Sequence, residues 1–159
     1  MLMLDYPAAD TCDGIVGQWA AFEELYTAKK VRTIAVSNFS PDQLRCITSN
    51  SSATVPSVNQ MSYSVGHGHD TVVADDAKFG VRVQAYSPLG SGSLAGDSLL
   101  KQIGASHKKS AAQVALRWIL QHNVTINTQS THAQYLKEDV DIFDFTLSEK
   151  EMSQLDARS

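Results

Sequence analysis

Five short β-prone segments alternate with helical segments along this chain, and this alternation constrains the fold more than any other feature of the sequence. The predicted strands start near residues 1, 32, 57, 82 and 124. The first three intervals are 31, 25 and 25 residues, and the fourth, of 42 residues, includes an extra Gly- and Ser-rich loop at residues 87–97. Strands and helices that alternate at this spacing indicate βα units, so we predict an α/β fold with a parallel sheet.

Helix-start patterns fall between the predicted strands. Ser40 with Gln43, and Ser110 with Gln113, are typical of capping boxes, and residues 148–151 open a last helix in the same way. Asp13 is the predicted N-cap of the first helix, whose apolar stripe makes Trp19 a candidate core residue. These patterns support the division of the chain into βα units.

Polar side chains end every predicted strand, and the carboxyl ends of parallel strands are where α/β proteins form their sites. These residues are Asp5, Ser37 and Asn38, Asn59 and Gln60, Tyr86 and Ser87, and Thr128 to Ser130. The strand that ends at Tyr86 is followed by Ser87-Pro88, which breaks it, and by the Gly- and Ser-rich residues 90–93. An aromatic ring, a hydroxyl and a permissive backbone at one rim suit a flat cofactor ring and its phosphates.

Composition excludes several classes of protein. The 159 residues suit one domain, and no apolar run approaches the roughly 20 residues that span a bilayer. A net charge of −4 without a basic run disfavours nucleic acid as a partner. Cys12 and Cys46 form no C-x-x-C motif, so we expect free thiols and a cytoplasmic or other reducing compartment. His67 and His69 lack a clear third and fourth ligand, which favours a solvated loop over a metal site.

Four segments occur in an order and at separations that closely resemble the aldo-keto reductase family. They are Val36-Ser37-Asn38-Phe39, Val58-Asn59-Gln60, Ala85-Tyr86-Ser87-Pro88-Leu89-Gly90 and Gln113-Val114-Ala115-Leu116-Arg117-Trp118. The resemblance extends from residue 1 to about residue 155. It implies an incomplete TIM-type (β/α) barrel in a single domain, in which the five strands are the fourth to eighth and the first three βα units are missing. It also implies NAD(P)H-dependent reduction of aldehydes and ketones.

The resemblance implies a set of cofactor-binding residues. Ser37, Asn38 and Gln60 match positions that hydrogen-bond the nicotinamide carboxamide, and Tyr86 matches the residue that stacks on the nicotinamide ring. The positions that match the pyrophosphate and 2′-phosphate segments are Ser87, Leu89, Gly90 to Ser93, and Ser130. Each has a structural alternative: Ser37 and Asn38 could cap a turn, Gln60 could satisfy buried backbone groups, and Tyr86 could pack at the rim.

The chain also departs from the family pattern. The catalytic Asp, Tyr and Lys of the family lie on earlier strands and have no counterpart, and the family's His aligns with Asp5. Asp5 could act as a substitute acid if burial raised its pKa, or it could be a hydrogen-bonded carboxylate at a strand end. Near the 2′-phosphate, Gln129 and Tyr135 replace the family's Lys and Arg, so NADP(H) is implied by resemblance and NAD(H) is possible. Glu138 and Asp139 approximate the rest of that motif.

Three explanations of the short length stay open: a fragment of a longer enzyme, a truncated paralogue, or a subunit completed by another chain. Open sheet edges invite pairing with such a chain. The leading functional hypothesis is a carbonyl-reducing oxidoreductase that is catalytically incomplete by itself. The alternative is a non-catalytic structural or interaction subunit, or a module that binds nicotinamide cofactors.

Overall fold

A computed structural model describes residues 1–7, 11–67 and 70–158, and its strands form one sheet. The strands are β1 (Leu2–Leu4), β2 (Ile34–Ser37), β3 (Val58–Ser62), β4 (Arg82–Tyr86) and β5 (Thr125–Ile126), in the order β1-β2-β3-β4-β5. The pairs β1–β2 and β2–β3 are parallel, with Leu4 opposite Val36 and Ser37 opposite Gln60. This order of successive parallel strands confirms the predicted α/β architecture.

Helices follow the strands as the βα pattern predicts. They are α1 (Cys12–Thr27), α2 (Pro41–Thr48), α3 (Asp70–Lys78), α4 (Ser98–His107), α5 (Ala111–Gln121), α6 (Ala133–Val140) and α7 (Glu149–Asp156), with a 3₁₀ segment at Gly90–Gly96. Capping boxes form at Ser40, Ser110 and Ser148, as predicted. The N-cap of α1 is Thr11 and not Asp13, because the Thr11 hydroxyl accepts the backbone N–H of Gly14 at 3.3 Å while Asp13 lies inside the first turn.

The chain divides into two compact units. The N-terminal unit comprises the described parts of Met1–Met61 and His69–Gln84, and the C-terminal unit comprises those of Ser62–Gly68 and Ala85–Ser159. In the N-terminal unit, Trp19 is buried and its indole N–H donates to the Thr54 carbonyl at 2.9 Å. The core around it includes Ile15, Phe39 and Leu44. The apolar faces of α1 and α2 therefore fix the start of the β2–α2 turn.

The core of the C-terminal unit is built around Trp118 on α5. Its ring stacks on that of Tyr63 with centroids 5.4 Å apart, and its indole N–H donates to Asp156 Oδ1 at 2.7 Å. His122 Nε2 lies 2.9 Å from the same carboxylate oxygen. Trp118 is buried, as is Trp19, which confirms the predicted core role of Trp19, and Asp156 ties α7 to α5.

The two cysteines contradict the prediction of free thiols. Cys12 and Cys46 form a disulfide, with their Cα atoms 5.1 Å apart. Helices α1 and α2 pack against each other, and this packing brings together two positions that are 34 residues apart in the chain. The sequence shows no such proximity, so the argument from cysteine usage for a reducing compartment loses its basis.

Among the described residues, no helix is both long enough and apolar enough to cross a bilayer.

Candidate functional site

The end of β2 and the end of β3 bring three predicted site residues together in the N-terminal unit. Ser37 is 1% exposed, and its hydroxyl donates to the backbone carbonyl of Gln60 at 3.0 Å. The backbone N–H of Asn38 donates to the same carbonyl at 2.9 Å. The Asn38 side-chain amide donates to Ser37 Oγ at 3.0 Å. The parallel register, with Ser37 opposite Gln60, creates this corner.

Asn38 adopts a left-handed backbone conformation with φ of 59°. Asparagine tolerates this region better than most residues, so it suits a sharp exit from a strand. The turn leads directly into Ser40, the N-cap of α2. Asn38 thus forms the turn before α2, which was the structural alternative to cofactor binding, and it also directs its amide toward Ser37.

The side chain of Gln60 is half-buried and pairs with a second glutamine. Its Nε2 donates to Gln84 Oε1 at 2.6 Å, between neighbouring strands β3 and β4. The sequence analysis left open that Gln60 satisfies buried backbone groups, but in this bond its amide contacts another side chain. The sequence analysis missed Gln84, although a polar residue within the apolar run of β4 is a recognisable pattern.

Asn59, one of the predicted strand-end residues, forms a buried polar pair with Asp76, which the sequence analysis did not assign to the site. Asn59 Oδ1 accepts the backbone N–H of Phe39 at 3.2 Å, and its Nδ2 donates to the Phe39 carbonyl at 2.8 Å and to Asp76 Oδ2 at 2.9 Å. Burial raises the pKa of Asp76 to about 6, which the hydrogen bond from Asn59 opposes and the charge of Asp75 reinforces. An acidic residue in the short polar helix α3 gave no indication of burial in the sequence.

Asp5 lies just beyond β1 with an exposed side chain. Its backbone carbonyl accepts a long hydrogen bond from Asn38 Nδ2 at 3.4 Å. β1 is the edge strand of the sheet, so this exposure is that of a chain without a neighbour at that edge. The roles of Asp5 as a substitute acid and as a strand-end carboxylate both stay predictions.

Tyr86 ends β4 and is half-buried in the C-terminal unit, where its carbonyl accepts the backbone N–H of Tyr63 at 3.4 Å. Ser87 follows with a φ of 52°, and its carbonyl accepts the N–H of Gly90 at 2.9 Å. A β-carbon at Gly90, whose φ is 54°, would lie 2.8 Å from Ser93 Oγ. Both features favour glycine at position 90.

The Gly- and Ser-rich segment after Leu89 differs from the flexible loop that the sequence predicts. It forms the 3₁₀ segment Gly90–Gly96, interrupted by left-handed residues at Ser91 and Gly92. Ser93 Oγ donates to the Gly90 carbonyl at 2.8 Å, and Leu94 is buried. The local hydrogen bonds and the apolar anchor explain why a segment of this composition is ordered.

Ser130 and helix α6 form a more exposed region of the C-terminal unit. Ser130 Oγ accepts the backbone N–H of His132 at 3.0 Å, close to the start of α6. Gln129 is exposed, and Tyr135 is 54% exposed. Gln113 Nε2 donates to the carbonyl of Glu138 at 3.2 Å, which attaches the far end of α6 to α5.

The described residues contain no group of three or more His, Cys, Asp or Glu side chains that could hold a metal ion. The predicted solvated loop at His67 and His69 falls partly outside the described residues, because residues 68 and 69 are not among them. The site residues that the structure describes are thus hydroxyl, amide and aromatic groups. Hydroxyl and amide groups can donate to and accept from an amide or phosphate of an organic ligand.

The sequence profile described as the "Aldo/keto reductase family" matches residues 1–159. The chain belongs to the aldo/keto reductase family. The family resemblance of the four sequence segments is therefore confirmed over the whole chain.

Curated relatives in this family carry the names of reductases. The chain is 38% identical over 144 residues to the 9,11-endoperoxide prostaglandin H2 reductase of Trypanosoma cruzi, a match that covers 89% of this chain and 50% of that protein. It is 37% identical over 144 residues to the glyoxal reductase of Bacillus subtilis, with 87% and 50% covered. The chain thus spans about half the length of the curated relatives it matches.

Solved structures of the family share its fold. An aldo/keto reductase from Brucella melitensis matches with a TM-score of 0.88 and 30% identity, over 99% of this chain and 60% of that one. An aldo-keto reductase from Bombyx mori, solved in complex with NADP, matches with a TM-score of 0.87 and 25% identity, over 98% and 56%. The five strands and their helices therefore correspond to part of an aldo/keto reductase barrel, as predicted.

Proposed function

We propose that this chain carries the nicotinamide-binding part of an NAD(P)H-dependent carbonyl reductase. Membership of the family and the reductase names of its relatives support an oxidoreductase role. The observation that carries the proposal is the corner at the ends of β2 and β3, where the Ser37 hydroxyl and the Asn38 backbone N–H meet the Gln60 carbonyl and the Asn38 amide meets Ser37 Oγ, through bonds of 2.9–3.0 Å. A carboxamide presents both a donor and an acceptor, and these side chains can satisfy both.

A reduced nicotinamide supplies a hydride to the carbonyl carbon of an aldehyde or ketone when it is bound, and the carbonyl oxygen takes up a proton to give the alcohol. Ser37, Asn38 and Gln60 would hold the carboxamide, and Tyr86 would stack on the ring and leave one face open to the substrate. No residue of this sequence matches the family's catalytic Tyr, which is the proton donor. We therefore place the proton donor on residues outside this sequence, in another chain or in a longer form of this one.

The cofactor-binding loop after β4 would cover the pyrophosphate. The bond of 2.9 Å from the Gly90 N–H to the Ser87 carbonyl supports this role, because it fixes the backbone turn that carries Leu89. At the 2′-phosphate, Ser130 would provide a hydroxyl, while Gln129 and Tyr135 carry no charge. We accordingly expect similar affinities for NADP(H) and NAD(H), because a cation that would favour the phosphate is missing from the matched positions.

A cofactor-binding or structural subunit without turnover is the second candidate. The lack of residues in this sequence that match the family's catalytic Asp, Tyr and Lys favours it, together with Gln129 and Tyr135 at the positions of the family's cations. Such a subunit would bind cofactor, or support a partner chain that covers the open sheet edge at β1, without reducing a carbonyl. Turnover of a generic aldehyde by the chain with its partner would exclude this candidate.

A fluorescence titration of the 159-residue chain with NADPH tests the proposed function. We expect saturable binding that weakens about fivefold in Tyr86→Ala, because ring stacking contributes about 1 kcal/mol beyond area burial. Tyr26→Ala is the matched control, since Tyr26 is 40% exposed on α1 and matches no cofactor position. Absence of binding up to millimolar NADPH, or equal loss in both variants, would contradict the proposal.

A further inference from the structure

Asp76 presents an unusual arrangement inside the N-terminal unit. Its side chain is fully buried on α3, and Oδ2 accepts a hydrogen bond from Asn59 Nδ2 at 2.9 Å. The other carboxyl oxygen, Oδ1, has no hydrogen-bond partner among the described residues. A buried polar atom without a partner costs stability, so its persistence needs a compensating role.

Asp76 fixes the orientation of the Asn59 amide. Asn59 Nδ2 donates both to the Phe39 carbonyl and to Asp76, while Asn59 Oδ1 accepts from the Phe39 N–H. A rotated amide would set its oxygen against the Phe39 carbonyl and its NH₂ group against the Phe39 N–H. One orientation therefore satisfies all three bonds, and the carboxyl group reinforces it.

The Asn59 amide in turn holds the backbone of the β2–α2 turn. Two successive backbone N–H groups, those of Asn38 and Phe39, are bound by two successive residues of β3: the Gln60 carbonyl at 2.9 Å and the Asn59 side chain at 3.2 Å. Asn38 has a φ of 59°, and a residue in this region persists when its surroundings over-determine it. The bonds on either side of Asn38 provide that constraint.

We propose that Asn59 and Asp76 are positioning residues that hold the Phe39 backbone and thereby set the orientation of Asn38 at the cofactor site. This inference rests on the proposed function, because it assigns the pair a purpose in cofactor binding. Neither residue touches the cofactor itself. Their effect would reach it through the 2.8 Å and 3.2 Å bonds to Phe39 and the adjoining turn.

The pair makes cofactor affinity depend on pH. Among the side chains that the structure describes, the acidic and basic ones on α2, α3 and β4 besides Asp76 are Asp42, Arg45, Asp75, Lys78 and Arg82. Asp42 and Arg45 are paired at 2.6 Å, and Asp75 and Lys78 at 2.7 Å. Burial raises the pKa of Asp76 to about 6, and the nearby charge of Asp75 acts in the same direction. Above that pH the carboxyl is ionised, and burial disfavours the charged form. The side chain therefore favours conformations in which it reaches water, and in these its hydrogen bond with Asn59 is lost.

The test combines NADP⁺ binding by calorimetry with NMR of the cofactor-free chain from pH 4.5 to 8. Wild type is compared with Asp76→Asn, which keeps an oxygen acceptor for Asn59 and cannot ionise. We expect the Kd of wild type to rise about threefold between pH 5 and 7.5 relative to that of Asp76→Asn. The comparison between variants removes the titration of the 2′-phosphate itself, which has a pKa near 6.

The NMR measurement reports on positioning without any cofactor. In wild type, the amide signals of Asn38 and Phe39 should shift with the same midpoint as the Asp76 carboxyl carbon, and in Asp76→Asn they should not. Asp75→Asn is the matched control, since it removes a carboxylate from the same helix and should lower the midpoint while it keeps the shift. The wild-type titration needs no variant, so an unfolded variant cannot leave the inference untested.

The outcomes separate this inference from the proposed function. Amide shifts that do not follow Asp76 in wild type would overturn the positioning role, whether or not the cofactor binds. Shifts that follow Asp76, together with no NADP⁺ binding at any pH, would support the hold on the Phe39 backbone and overturn the proposed function. Binding whose pH profile is unchanged by Asp76→Asn would overturn the link between the pair and affinity.

Discussion

The residues around β2 and β3 differ from helix α6 in how strongly the fold constrains them. Ser37 and Asn59 are buried, and their side chains hold backbone groups of neighbouring segments. Helix α6, by contrast, contains no buried residue, and Tyr135 on it is more than half exposed. Ser37, Asn38 and Gln60, which match the nicotinamide-binding positions, lie in the first region, and the departures Gln129 and Tyr135 lie in or beside the exposed helix.

This difference indicates why the two regions depart from the family to different degrees. Replacing Ser37 or Asn59 would leave buried polar groups without partners, at a cost of about 1–3 kcal/mol for each group. Replacing an exposed Lys or Arg by Gln129 or Tyr135 costs the fold little, because surface substitutions usually change stability by under about 0.5 kcal/mol. The buried residues can thus be retained by the fold alone, whereas an exposed cation is retained only where binding needs it.

The largest expected effect concerns the disulfide of the N-terminal unit. Cys12→Ala removes the bridge at an exposed position and should destabilise the chain by about 4 kcal/mol, because the bridge restricts a 34-residue separation in the unfolded chain. Urea denaturation measures the change. Wild type in reducing agent is the control and should have the same free energy of unfolding as the variant. Equal stability of oxidised and reduced wild type would show that the disulfide does not stabilise the N-terminal unit.

The pH dependence of stability gives the next largest effect. The pKa of Asp76 is about 6 in the folded chain against an ordinary value of 3.8, so the folded state binds the proton more tightly. Stability therefore falls as pH rises from about 4 to above 6, by about 3 kcal/mol. Asp76→Asn cannot ionise and should lack this loss of stability. The difference in free energy of unfolding between wild type and Asp76→Asn, measured by urea denaturation, should therefore change by about 3 kcal/mol between pH 4 and pH 7.5.

If the difference in free energy of unfolding between wild type and Asp76→Asn does not change with pH, the pKa of Asp76 is not raised by folding. Asp75→Asn serves as the control, since it should keep most of the pH dependence. Hydrogen bonds from the Leu100 N–H and Arg158 lower the pKa of Asp97, and those from Ser148 and His107 lower the pKa of Glu151. These two groups make the folded chain less stable as the pH falls, which is the opposite of the effect of Asp76. They are common to both proteins and cancel in the comparison.

The smallest effect is expected in the exposed region. Gln129→Lys should strengthen NADP⁺ binding about fivefold and leave NAD⁺ binding unchanged, because a cation at this position would pair with a solvated phosphate. The gain should shrink at high salt. Gln134→Lys on α6 adds the same charge at an exposed position that matches no cofactor contact; an equal gain in that variant would indicate general electrostatic attraction instead of a 2′-phosphate site.

Sequence patterns were sufficient for the elements that depend on local chemistry. The capping boxes at Ser40, Ser110 and Ser148 form as predicted because each needs only residues within one turn. The strand that ends at Tyr86 was predicted for a similar reason, since Pro88 follows it directly. The N-cap of α1 was placed at Asp13 instead of Thr11, because two polar residues near a helix start compete for the same role.

The residues that sequence reasoning missed depend on contacts between distant segments. Gln84 meets Gln60 across two strands, and Asp76 meets Asn59 from a helix 17 residues further along the chain. The cysteine pair was misjudged for the same reason, since its two members lie on separate helices. Residue type at a single position does not reveal which partner the fold brings to it.

The sequence by itself determined the βα order, the family and the polar character of the strand ends, because these follow from local periodicity and from motifs whose order is preserved. Only the tertiary structure decided which polar groups are buried and what they hold. The parallel register places Ser37 beside Gln60, and the packing of α3 buries Asp76 against Asn59. Burial and hydrogen-bond geometry are properties of the assembled sheet and helices, and they convert a pattern of polar residues into a constrained site.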